Sequence, residues 1–126
     1  MKGIKMKKIL IAAFFLLPLN AIAEHMDVIE FKMLEGCSRD QYMAIVEDFN
    51  KWGEDFGYEA KIAFPVQSNN LTNMYWLGTS ANAAAFGKAW DAWRDGQADA
   101  DSVPAKLAAR FAACTQNIGR RGYDVF

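Results

Sequence analysis

The chain has 126 residues, 52% of them apolar and 23% charged, with 14 Lys and Arg against 15 Asp and Glu. A formal charge of −1 at pH 7 gives no basic excess of the kind that follows phosphates, and the length suits one domain. One histidine and two cysteines leave little material for a metal centre.

The chain opens "MKGIKMKKILIAAFFLLPLNAIA", in which Lys2, Lys5, Lys7 and Lys8 precede an apolar run from Ile9 to Leu17. Pro18 and Asn20 break the run, and Ala21-Ile22-Ala23 is the small-x-small pattern that a signal peptidase accepts. Residues 1–23 therefore read as a secretory signal peptide cut after Ala23. The run is too short for a membrane anchor, which needs roughly 20 apolar residues. The expectation is a periplasmic or secreted protein that keeps no membrane segment after cleavage. The expected mature chain, residues 24–126, carries 10 basic and 15 acidic side chains, a net of −5. Its one adjacent basic pair, Arg120-Arg121, is no phosphate-tracking stripe, so nucleic acid is not an expected partner.

Residues 27–34, "DVIEFKML", alternate, with Ile29, Phe31 and Met33 on one side and Glu30 and Lys32 on the other. That is a strand with one buried face. Gly36 breaks it, and Ser38 with Gln41 three residues later is a capping-box signature. Tyr42, Ile45, Val46, Phe49 and Trp52 then recur at helical spacing until Gly53 and Gly57. A second alternating strand covers 58–64, with Glu59 and Lys61 on its polar side, and Pro65 marks a sheet edge. Residues 67–73 read as a loop, and "MYWLGT" (74–79) as a strand buried on both sides.

Ser80 or Thr79 can cap the next helix, from Ala81 to Gly96. Phe86, Ala89, Trp90 and Trp93 share one of its faces. That stripe is the ordinary contact of a helix with a sheet; the alternative is a partly open pocket, since two tryptophans are a large apolar load for a short helix. Residues 97–102 form a polar loop in which Asp99 and Asp101 lack the rest of a calcium motif. Ser102 and Pro104 start a third helix, with Leu107, Phe111, Cys114 and Ile118 on one face and Gly119 as its end. "GYDVF" (122–126) reads as a short last strand. Cys37 and Cys114, an even pair in an exported chain, are expected to form one disulfide.

Strand, helix, strand, strand, helix, helix, short strand is an α+β order, the split βαβ or ferredoxin-like plan, with an extra helix near the C-terminus. On this order, and on stretches such as "VIEFKMLEG" and "MYWLGTSANAAAFGKAW", residues 27–126 resemble the dimeric α+β-barrel superfamily. The resemblance implies a homodimer whose two sheets pair face to face, often around a pocket. Members include cofactor-independent quinone-forming monooxygenases, haem-degrading enzymes and proteins without assigned activity. Haem-handling members use a histidine in the later half of the domain, and this chain has only His25, ahead of the first expected strand. No haem chemistry carries over, and no cofactor is expected.

His25 beside a new amino terminus could hold copper only weakly, so no metal site is expected. In a face-to-face dimer, Glu30, Lys32, Tyr75 and Trp76 would line the space between the sheets, and Trp90 and Trp93 are the further pocket candidates. No catalytic residue stands out: a single histidine assembles no Ser-His-Asp set, and no phosphate-cradling glycine loop occurs. The leading expectation is an exported, dimeric small-molecule-binding or accessory protein. The alternatives are a cofactor-independent oxygenase of the same fold and a structural or interaction module.

Overall fold

A computed structural model of the chain describes residues 22–126. The expected signal peptide lies almost wholly outside the described residues. The elements are β1 (Glu24–Met33), α1 (Arg39–Gly53), a 3-10 turn (Glu54–Phe56), β2 (Glu59–Ala63), β3 (Asn73–Ser80), α2 (Ala83–Gly96), α3 (Val103–Cys114) and β4 (Thr115–Val125). The strands form one antiparallel sheet in the order β2-β3-β1-β4, the ferredoxin-like arrangement, with β1 central. All three helices contact one another or the sheet, and α3 is the helix added to the basic plan.

Local chemistry starts and stops these elements. Ser38 Oγ accepts from the Gln41 amide at 3.1 Å, and Gln41 Oε1 accepts from the Ser38 amide at 2.8 Å, so the expected capping box closes α1. Gly57 ends the following turn at φ 65°, a left-handed conformation that glycine adopts without strain. The Asn50 side chain then takes both backbone groups of Ala60, at 2.8 and 2.9 Å, and ties edge strand β2 to α1. The α2 helix is capped by Asn82, whose side chain accepts from the Ala85 amide at 2.8 Å. That corrects the expected cap at Ser80 or Thr79: both remain in β3, paired with His25 and Met26 of β1.

Two further corrections concern the ends of the sheet. The third helix does not continue through Ile118; it stops at Cys114, and the last strand has 11 residues rather than a short tail. Thr115 and Asn117 are poor helix formers, and a strand here pairs the edge of β1 that a longer helix would have left open. The first strand also begins earlier than expected, at Glu24, so that His25 lies within the sheet rather than ahead of it.

The core lies between the sheet and the helices, where Phe31, Tyr42, Val46, Phe49, Trp76, Ala89 and Leu107 are buried. The ring of Phe49 stands at its middle, within 4.8–6.1 Å of the rings of Trp52, Tyr58, Trp76, Trp93 and Phe111, mostly edge to face. A disulfide joins Cys37 to Cys114, as expected from the cysteine count, with Cα atoms 5.1 Å apart. It fastens the turn after β1 to the junction of α3 and β4, where the Leu34 amide also donates to the Cys114 carbonyl at 2.9 Å.

Candidate functional site

Helix α2 lies over the sheet beside α1 and α3 without filling the space between them. The result is a cavity of about 530 Å³, within the range of small-molecule sites. Its inner wall is aromatic, built from Phe49, Trp76, Phe86, Trp90, Trp93 and Phe111. Besides the hydroxyls of Tyr42 and Tyr58, its polar groups are Gln97, Thr115, Asn117 and Arg120, from the end of α2 and from β4, the most exposed of the lining elements.

Strand alternation explains which candidates meet here. Trp76 points to the helices and is buried, and Trp90 and Trp93 reach the same cavity from α2. Both readings of the aromatic stripe are partly realised: Phe86 and Trp93 pack against the core and also line the cavity, whereas Trp90 is cavity wall. Tyr75, next to Trp76 on the strand, necessarily points to the opposite face of the sheet. Glu30 is paired with Tyr75 there and accepts a hydrogen bond from the Asn73 side chain, and Lys32 is paired with Asn73. The six candidates thus divide: Trp76, Trp90 and Trp93 meet in the cavity, whereas Glu30, Lys32 and Tyr75 stand on the uncovered face. Trp76 does not share a lining with Tyr75, because adjacent strand residues cannot point the same way.

One buried polar network borders the cavity and was not among the sequence candidates. Asp27, 2% exposed, receives Nε of Arg120 at 3.0 Å and Nη2 at 2.5 Å. The Tyr58 hydroxyl donates to Asp27 Oδ2 at 3.3 Å and accepts from Trp76 Nε1 at 2.7 Å. The guanidinium of Arg120 lies over the Trp90 ring, 4.1 Å from its centre. Gly78 makes room for this arrangement, since a β-carbon there would fall 1.7 Å from the Tyr58 hydroxyl oxygen. A signal for Asp27 was present in the sequence: it is in phase with Ile29, Phe31 and Met33, a carboxylate on the apolar side of an alternating strand. Arg120 carried no such signal, because its contact with Asp27 spans 93 residues of sequence.

Burial pushes the hydroxyls of Tyr42 and Tyr58 well above the ordinary tyrosine value, with the Asp27 carboxylate adding to the effect at Tyr58. Both phenols are therefore hydrogen-bond donors near neutral pH and not bases. His25 packs on Phe86 with ring centres 4.4 Å apart, and its Nδ1 is buried without a partner, as is Oγ of the facing Ser80. Among the described residues no group of three His, Cys, Asp or Glu side chains stands close enough to hold a metal ion.

This is a ferredoxin-like α+β fold with an aromatic cavity between sheet and helices. Among solved structures the chain is similar in fold to SnoaB, a cofactor-independent oxygenase from Streptomyces nogalater. The TM-score is 0.51 at 11% identity, covering 82% of this chain and 94% of that one. A dimeric protein of unknown function and ferredoxin-like fold from Bacteroides fragilis superposes at a TM-score of 0.43 and 8% identity, over 80% and 95% of the two chains. No protein-family model matches the sequence, and no curated protein is similar to it.

Proposed function

We propose that this is an exported protein that binds a small, flat, largely apolar molecule in the cavity between its sheet and its helices, and that it works as a homodimer paired through the open face of the sheet. The observation that carries the binding reading is the cavity itself: space for a ligand, enclosed by rings on the inside and bordered by polar side chains from α2 and β4. Aromatic walls favour flat ligands through offset and edge-to-face contacts, and a few fixed polar groups set their orientation. Export is supported by the lysine-rich start, the apolar run and the Ala21-Ile22-Ala23 pattern. Pairing is supported by the half-buried Met26, Val28, Tyr75 and Leu77 on a sheet face that no helix covers.

The reading is tested on the mature protein, purified from the exported fraction, by native mass spectrometry for a retained molecule and by tryptophan fluorescence with flat aromatic compounds. Binding is expected to change the emission of Trp76, Trp90 and Trp93, and Ala108→Phe, which places a ring inside the cavity, is expected to abolish the change. A protein with no retained mass and no response to any such compound would remove the reading.

A second reading, a cofactor-independent oxygenase, is favoured by the fold shared with SnoaB. It stands behind the first because the cavity offers little proton-abstracting chemistry: its tyrosines hold their protons, and the nearby Asp27 is occupied by Arg120 and Tyr58. Oxygen uptake with phenolic substrates, lost in Ala108→Phe, would reverse that order.

A further inference from the structure

We infer that the molecule held in the cavity is an aromatic anion, a flat ring system bearing a carboxylate, and that Arg120 and Asn117 bind its charged end. This rests on the cavity being the binding site and goes on to name the class of ligand. Of the residues lining the cavity, Arg120 is the one that carries a charge. Asp27, its partner, is not part of the lining; it is buried and accepts from Tyr58 as well. The carboxylate therefore holds Arg120 in place from the protein side without presenting negative charge on the cavity wall.

The guanidinium keeps binding capacity. Its Nε and Nη2 are engaged by Asp27, whereas Nη1 has no partner among the described residues. The Asn117 side chain, two positions past Thr115 on the same lining strand, also has no hydrogen-bond partner among the described residues. An arginine already fixed by one carboxylate and by the face of Trp90 loses little freedom on taking a second, and charge-assisted hydrogen bonds to a carboxylate are the stronger kind. The rings of Trp90, Trp93 and Phe111 then offer an apolar seat for the rest of the molecule.

The test compares 2-naphthoate with 2-naphthamide, which share shape and differ in charge, by fluorescence and calorimetric titration of the mature protein. The carboxylate is expected to bind at least about tenfold more tightly, with an advantage that shrinks as salt is raised. Asn117→Ala is expected to lower that advantage several-fold, and Arg120→Lys to lower it further. Arg120→Lys disturbs the pairing with buried Asp27, so the comparison in the unaltered protein carries the result if that variant folds poorly. Equal binding of the two compounds would overturn the inference and leave the cavity as a site for neutral molecules. No binding of either would overturn it together with the binding reading.

Discussion

Tyr58 and Asp27 meet in a buried polar network under the sheet's apolar face. The phenol is held between an indole donor and a carboxylate acceptor, over a glycine that leaves room for its oxygen. Its proton, like that of Tyr42, is kept by burial, and this has a consequence for stability. Below the ordinary tyrosine value of 10.0, both tyrosines are protonated in the folded and unfolded chains alike. Above it the unfolded chain releases protons that the folded chain retains, so stability must fall as pH rises, with a slope that approaches its limit of about 1.4 kcal/mol per pH unit for each tyrosine that stays protonated in the fold. Urea midpoints measured from about pH 9 to about pH 11 are expected to drop steeply, and less steeply in Tyr58→Phe. The slope is the informative quantity, because the variant also loses two hydrogen bonds and starts from a lower stability. Parallel slopes would mean that Tyr58 ionises freely in the folded protein. Asp27 was legible in part, as an acid in phase with apolar neighbours. Arg120 was not, since local pattern carries no information about a partner 93 residues away.

At the scale of elements, the helices and strands with strong periodicity appear near their expected positions, and the capping box at Ser38 forms as its spacing dictates. The misreadings fall where two local preferences compete. At residues 115–118, Ile118 continues the helical spacing from Cys114, but an unpaired edge of β1 was available and hydrogen bonding along it prevailed. The disulfide sits at this transition and holds the α3–β4 junction against the turn after β1. It closes a loop of 77 residues, and the chain-entropy estimate for such a loop is about 4 kcal/mol. The double variant Cys37→Ser/Cys114→Ser is expected to lose stability of that order in urea unfolding, with reduced wild-type protein behaving alike. A variant as stable as the oxidised protein would show that the bond contributes nothing to the unfolded-state balance. Because α3 and β4 also line the cavity, the same variant is expected to weaken ligand binding.

For the whole molecule, the two faces of the sheet have different fates. One is covered by helices and encloses the cavity; the other carries Met26, Val28, Tyr75 and Leu77 at its middle, with Tyr123 and Val125 47% and 39% exposed on β4. On the proposed pairing, Val28 lies at the centre of the interface between Leu77 and Arg121. Sedimentation of residues 24–126 at roughly ten micromolar is expected to give a dimer. Val28→Glu, which places a charge where apolar surface is buried, is expected to give a folded monomer with unchanged far-ultraviolet dichroism. A monomeric wild type would remove the pairing while leaving the cavity in each chain untouched.

The sequence by itself determined the class of fold, the order of elements, the disulfide pair and the inward tryptophans, because each follows from short-range spacing or from a count: alternation, helical period, caps, two cysteines. Only the tertiary structure decided on which side of the sheet the cavity lies, that Trp76 and Tyr75 serve different faces, and that Arg120 meets Asp27. Those outcomes depend on the packing of a third helix and on pairing between the first and last strands, elements separated by most of the chain. Contacts of that range are set by how apolar faces fit together, and no window of local sequence contains them.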